Sequence, residues 1–181
     1  LLLACALSHA PAVDALSFAE GRALSAEQDQ VLFVLVHGSD WQPFGERLFK
    51  DVWQDASFAA SAEVLLADVD ILQDPKEEVR VANDERNKGW NKKESGLRTY
   101  PSVIAYAPDG VRIGIRQGHD LPKELNAAHL AILEFAACCQ MWSNIGRDIA
   151  TSREAKDTAQ ELTLLIARDR LPLQRSAKLI D

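Results

Sequence analysis

Blocks of apolar and polar residues along the first half of the chain predict alternating helices and strands. Residues 16–28 have the spacing of a short amphipathic helix. The continuous apolar run 31–37 has strand length and is typical of a strand buried on both faces of a parallel sheet, and residues 62–70 predict a second buried strand. A helix is predicted between them, with Pro43 in its first turn, where the missing N–H is harmless.

The second half continues the pattern with a hairpin and a helix. Residues 102–118 predict two strands joined by the turn sequence Pro108-Asp109-Gly110. A helix is predicted from about Lys123 to Trp142. This order of elements predicts an α/β fold with a mixed sheet.

The segment 71–98, between the second strand and the hairpin, is dense in charges of both signs. Asp74-Pro75 favours the opening of a helix, and Gly89 favours its end. Trp90 follows, and the sequence allows two placements for its side chain. It packs back onto the body of the protein, or it belongs to a recognition surface.

Residues 143–181 keep helical periodicity beyond the predicted domain. Ile145, Ile149, Leu162 and Ile166 fall at helical spacing, and Pro172 precedes a last short helix. We therefore predict a domain over 16–142, with 71–98 as a charged helical insertion, followed by a helical extension over 143–181.

Residues 1–15 are typical of the end of a signal peptide, an apolar stretch followed by small residues. Val13 and Ala15 form one cleavage pair, and Ser8 and Ala10 another. The sequence around Cys5, "LLAC", also resembles a bacterial lipoprotein box, which would make Cys5 a lipid anchor. An ordinary N-terminal helix is the remaining alternative. The favoured location is periplasmic or otherwise exported.

Composition narrows the function classes. The 181 residues are 47% hydrophobic and 26% charged, which suits a globular domain with a real core. A net charge of −7 argues against a general nucleic-acid binder. No apolar run reaches the roughly 20 residues needed to span a bilayer.

The stretch "GSDWQPFG", residues 38–45, stands directly after the first apolar run. Together with "DVD" at 68–70, "TYPSVIAYAPDG" at 99–110 and "IRQG" at 115–118, it resembles the thioredoxin family, most of all its exported bacterial members. The resemblance implies a thioredoxin-like fold, a mixed central sheet flanked by helices, here with a C-terminal helical extension. It also implies that Pro101 is a cis-proline facing the motif.

The motif departs from the family where the chemistry should be. The motif is Trp41, Gln42, Pro43, Phe44 and Gly45, so Gln42 and Gly45 replace the two cysteines. Disulfide exchange needs a thiolate that attacks a sulfur and a second thiol that resolves the mixed disulfide. The family's buried acid falls on Val36, and its lysine neighbour falls near Leu66. The sequence therefore predicts a degenerate site with no catalytic residue.

Other chemistry finds little support in the sequence. Cys138 and Cys139 are adjacent on a predicted helix, so their side chains point about 100° apart and favour packing over a disulfide. His37, Ser39 and Asp40 lack the elbow motif of a hydrolase. His37, Asp40 and His119 have no metal-site spacing, and Asp40 is expected at the start of the motif helix. No metal or cofactor is predicted.

Two functions of different class remain. The first is a redox-inactive module of the cell envelope that binds a protein or peptide partner. Its candidate binding residues are Trp41, Phe44, Trp90, Tyr100 and Pro101, rich in the aromatic types found at binding hot spots. The second is a thiol-disulfide oxidoreductase-related enzyme that acts through cysteines outside the motif.

Overall fold

A mixed four-stranded sheet organises the part of the chain that the computed structural model describes, residues 14–171 without the side chains of residues 94 and 95. The strands are β1 (Leu32–His37), β2 (Leu65–Asp70), β3 (Ser102–Tyr106) and β4 (Arg112–Arg116). Their spatial order is β2-β1-β3-β4. β1 runs parallel to β2 and antiparallel to β3, and β3 pairs with β4 as an antiparallel hairpin. The predicted strands and hairpin are confirmed.

Helices cover both faces of the sheet. They are α1 (Phe18–Gln28), α2 (Pro43–Leu48), α3 (Ala56–Ala62), α4 (Glu77–Arg86), α5 (Lys92–Ser95), α6 (Leu125–Glu154) and α7 (Thr158–Asp169). A π-helical turn, Phe49–Trp53, continues α2. α1 begins two residues later than predicted because Ser17 and Glu20 form a reciprocal capping box at its start. Leu16 instead pairs with Ala67 along the outer edge of β2.

β1 is the centre of the fold because every one of its residues is buried. Its side chains alternate between two apolar clusters, one on each face of the sheet. Phe33 and Leu35 join the cluster under α2, α3 and α6, which contains the fully buried Trp53. Val34 and Val36 join the cluster under α1. The continuous apolar run in the sequence thus reflects burial on two sides.

α6 extends beyond the helix end predicted at Trp142, and that expectation is wrong. The helix continues to Glu154 because its inner face stays buried, at Ser143, Ile149 and Ser152. α7 then packs against α6 as the second arm of a helical hairpin. None of the helices in residues 14–171 is long and apolar enough to cross a membrane.

The predicted fold class is confirmed by this arrangement. A central β1 lies between parallel β2 and antiparallel β3, the β3–β4 hairpin follows, and α6 covers the first apolar cluster. The α6–α7 hairpin is the C-terminal helical extension. The signal-peptide and lipid-anchor expectations concern residues that lie outside the described part, apart from Asp14 and Ala15. Pro172 and the last predicted helix lie outside it as well.

Candidate functional site

The motif of residues 41–45 follows β1 and is fixed by the indole of Trp41. The indole lies over Gly38, where any Cβ would overlap it. Its Nε1 donates to the carbonyl of Ile71, 2.6 Å away, and its ring meets Tyr100 edge to face at 5.4 Å. These contacts join the motif loop to the end of β2 and to the segment that precedes β3.

Gln42 and Gly45 fit together at the two positions where cysteines would stand. The Gln42 side chain folds over Gly45, because a Cβ on Gly45 would overlap the Gln42 amide oxygen. Gln42 Nε2 donates to the Tyr100 carbonyl at 3.4 Å. The long amide therefore occupies the space above Gly45 and links α2 to Tyr100. We call this contact the Gln42–Gly45 interlock.

A groove of about 470 Å³ lies between the motif and the segment before β3. Its walls are Gln42, Pro43, Phe44, Arg47, Tyr100, Pro101, Gly118, Leu121 and Lys123, and we call it the motif groove. The Tyr100–Pro101 peptide bond is cis. Gly118 must stay small here, because a Cβ would come within 2.5 Å of the Tyr100 carbonyl oxygen.

Four of the five candidate binding residues come together around this groove. Phe44, Tyr100 and Pro101 line it, and Trp41 contacts Tyr100 from behind. Trp90 does not line it. Its ring packs against the apolar cluster under α1, with Nε1 buried.

Asp40 bonds to the loop after β2 and not to the start of α2. One oxygen of its carboxylate accepts from the backbone N–H groups of Gln73 and Asp74, at 3.0 and 3.2 Å. The residue before α2 is Gln42, which makes no capping hydrogen bond with its side chain. Asp40 therefore fixes the loop after β2, and the expectation that it sits at the start of the motif helix is wrong.

Buried charge gathers on the other side of β1, at the carboxyl end of β2. His37 and Asp68 are almost fully buried, and Nε2 of His37 lies 3.6 Å from an oxygen of Asp68. Arg86 of α4 donates to the other Asp68 oxygen. Asp70 accepts from the backbone N–H of Ser39 at 2.8 Å and from its hydroxyl at 2.5 Å.

Sequence reasoning missed this cluster, although it left a signal. Asp68 and Asp70 are two apart on a strand, so they share a face. His37 is the direct partner of Asp70 in the β1–β2 register. Three ionisable residues at the same end of two neighbouring apolar strands indicate a polar cluster at that edge of the sheet.

Neither the metal donors among the described residues nor Val36 and Leu66 add a second site. Within residues 14–171, no group of three or more His, Cys, Asp or Glu side chains could hold a metal ion. His119 interacts with Thr99 and Asp120 at the surface, away from His37. Val36 and Leu66 pack in opposite apolar clusters, with no polar role.

The two neighbouring cysteines on α6 differ in exposure. Cys139 is fully buried in the larger apolar cluster, and Cys138 is partly exposed. Burial, reinforced by the neighbouring Cys138, raises the pKa of the Cys139 thiol far above its ordinary value. The thiolate is the nucleophilic form, so Cys139 is a poor reagent at neutral pH.

Comparison with known proteins gives the following. No protein-family model matches the sequence, and no curated protein sequence matches it. One similar solved structure is described as "DsbH Oxidoreductase". It has 20% sequence identity and a TM-score of 0.49, and the match covers 75% of this chain and 92% of that chain. Another is a thioredoxin from Thermus thermophilus. It has 16% sequence identity and a TM-score of 0.45, and the match covers 70% of this chain and 88% of that chain. The chain has a thioredoxin-like fold, because its strands have the order β2-β1-β3-β4 and the motif follows β1 directly.

Proposed function

We propose that this protein is a redox-inactive thioredoxin-like module that binds extended protein segments in the motif groove. The observation that carries the proposal is the Gln42–Gly45 interlock, which fills the cysteine positions with an amide in contact with Tyr100. An amide cannot attack a disulfide, so the site keeps its shape without exchange chemistry.

The walls of the motif groove favour a particular kind of segment. Pro43, Phe44 and Leu121 offer apolar contact, and Arg47 and Lys123 supply positive charge on a chain whose net charge is −7. The volume lies in the usual range of ligand sites, roughly 300–1,000 Å³. An extended peptide with an apolar residue next to a carboxylate would match both features.

Backbone groups at the groove support pairing with an extended chain. The segment before β3 enters the groove, and extended peptides bind well where main-chain groups can add a strand. The absence of a side chain at Gly118 keeps the groove open beside the Tyr100 carbonyl.

A peptide-binding experiment tests this proposal. The probe is a fluorescent, unstructured peptide with a central leucine flanked by glutamates, compared with the same peptide carrying lysines. We expect saturable binding of the glutamate peptide, weakened about fivefold or more by Arg47→Ser with Lys123→Ser, since two nearby charges are removed. Lys88→Ser, an exposed change outside the groove, should leave the affinity unchanged.

Two outcomes would contradict the proposal. One is the absence of saturable binding to either peptide. The other is an equal loss of affinity in the Lys88→Ser control, which would mean that only the overall charge matters.

We also propose that the protein is exported and works in the cell envelope. The support is the sequence of residues 1–15, an apolar stretch followed by small residues with Cys5 in a lipoprotein-like context. Expression in a bacterium, followed by fractionation and N-terminal mass analysis, tests it. Cleavage near residue 10 or 15, or a lipid-modified Cys5, would support export, and an unprocessed cytoplasmic chain would contradict it.

A further inference from the structure

A cavity of about 720 Å³ opens beside β2, separate from the motif groove. It lies between the edge segment at Ala15 and Leu16, the π-helical turn after α2, and the carboxyl ends of β1 and β2. We call it the β2 cavity. Ligands of open α/β sheets characteristically bind outside the carboxyl ends of the strands.

His37 gives this cavity an unused polar group. The residue lines the cavity at only 2% exposure, and neither ring nitrogen has a hydrogen-bond partner among the described residues. Asp68 and Asp70 lie 3.6 and 4.0 Å away, too far for a hydrogen bond. A buried imidazole without a partner is unusual, because buried polar groups are almost always satisfied.

The fixed charges around the cavity are mostly negative. Its carboxylates are Asp14, Glu20, Glu46, Asp68 and Asp70. Its two cations already have partners: Lys50 binds Glu46 at 2.6 Å, and Arg86 binds Asp68. The Asp70 carboxylate accepts two hydrogen bonds from Ser39, and the His37 ring lies 4.0 Å from it. A positive ligand is therefore favoured over a neutral or negative one.

We propose that the β2 cavity binds an alkylammonium group, supplied by a small polyamine or by a lysine side chain. An ammonium is a compact charge with three N–H donors. It can donate to a His37 ring nitrogen and to the Asp70 carboxylate together. A neutral alcohol would leave the charge of that carboxylate uncompensated. The site is independent of peptide binding in the motif groove.

Calorimetric titration of the full chain tests the proposal. The probe is 1,5-diaminopentane, with 1,5-pentanediol and glutarate as neutral and anionic controls. We expect saturable binding of the diamine alone. Asp70→Asn should weaken it about tenfold through loss of a close charge. Glu134→Gln, an exposed change outside the cavity, should leave it unaltered.

A nuclear magnetic resonance titration keeps the proposal testable if Asp70→Asn does not fold. In the unaltered protein, the His37 ring resonances, assigned with a His37→Gln variant, should shift and saturate together with diamine binding. The exposed His119 ring serves as the internal control. A capped lysine that binds as well as the diamine identifies a lysine side chain as the source, and a diamine that binds alone identifies a free polyamine.

Three results would overturn the proposal: no saturable diamine binding, tighter binding of glutarate than of the diamine, or equal weakening by Glu134→Gln. Diamine binding that leaves the His37 resonances unmoved would also overturn it.

Discussion

The two sides of the carboxyl end of β1 differ in the polar residues that they bury, a neutral amide on one side and ionisable groups on the other. On the β3 side, the interlocked Gln42 and Gly45 occupy the motif, and the amide of Gln42 bonds to Tyr100. On the β2 side, His37, Asp68 and Asp70 are brought together around a larger cavity, and no described residue forms a hydrogen bond with the imidazole.

The difference shows that a site without thiols can still have an ordered loop. The β3 side has no thiol at Gln42 or Gly45, and its loop is fixed by neutral side chains and backbone groups. The β2 side holds buried charge, which destabilises a fold unless the charge is paired. Substitutions on the β2 side should therefore lower stability by breaking an ion pair. Substitutions on the β3 side should lower it by disturbing close packing.

Removal of Arg86 should have the largest effect on stability. Arg86→Met leaves the Asp68 carboxylate, 4% exposed, without its cation, and we expect the free energy of unfolding to fall by about 3 kcal/mol. Urea unfolding at neutral pH measures it. Arg80→Met on the same helix breaks only exposed pairs with Glu77 and Asp84, and should lower stability by less than about 1 kcal/mol. Equal effects of the two variants would mean that the β2 side does not depend on a buried ion pair.

A methyl group at Gly118 should have the next largest effect. Its Cβ would approach the Tyr100 carbonyl oxygen to 2.5 Å, and backbone cannot move away as a side chain can. We expect Gly118→Ala to lower the unfolding free energy by about 1–3 kcal/mol.

Gly146→Ala is the matched control for that prediction. A Cβ at Gly146 meets no atom of the described residues within 4 Å, and alanine favours a helix, so stability should rise by about 0.5–1 kcal/mol. Opposite signs for the same chemical change would support close packing at the motif groove. A neutral Gly118→Ala would contradict it.

The Gln42–Gly45 interlock should appear as coupling between two substitutions. Gly45→Ala forces the Gln42 amide away and brings a methyl within 3.0 Å of His37 Cβ. We expect Gly45→Ala to be less damaging when Gln42→Ala is also present, with a coupling free energy of about 1 kcal/mol. A double-mutant cycle by urea unfolding measures this, and strict additivity would show that the two residues do not interact.

α3 lies outside both cavities and provides a baseline for both sides. The Ser57 hydroxyl and then the Phe58 N–H, both donating to Asp55, lower the pKa of that carboxyl. A lowered folded-state pKa stabilises the protein above the ordinary carboxyl range and is lost as the pH falls below about 4. Asp55→Ala should therefore reduce stability by about 1 kcal/mol at neutral pH and by less in acid. A difference that grows in acid would contradict this assignment.

Local patterns were enough to predict the elements of the fold. The run 31–37 indicated a strand buried on both faces, and residues 32–37 form the central strand. The turn sequence at Pro108-Asp109-Gly110 predicted the hairpin, and Gly110 has a φ of 89°, which glycine adopts readily. Boundaries were less predictable. α6 passes Trp142 because helix termination depends on what the inner face meets, and the sequence alone does not state that.

The side-chain contacts at the two sites could not be predicted because they join distant parts of the chain. Gln42 bonds to a carbonyl 58 residues away, and Arg86 reaches an aspartate 18 residues before it. Asp40 had a local partner available at α2 but bonds instead to the loop after β2. Tertiary packing decided each of these choices.

Insulin reduction by the full chain shows whether the motif of residues 41–45 persists without redox chemistry. We expect no turnover above background, and no change after native alkylation of Cys138 and the other accessible thiols. The Gln42→Cys/Gly45→Cys variant is the positive control, because residues three apart at a helix start lie within disulfide reach, about 5–6 Å between Cα atoms. It should form a disulfide under mild oxidation. Turnover by the unaltered protein that disappears on alkylation would contradict the account.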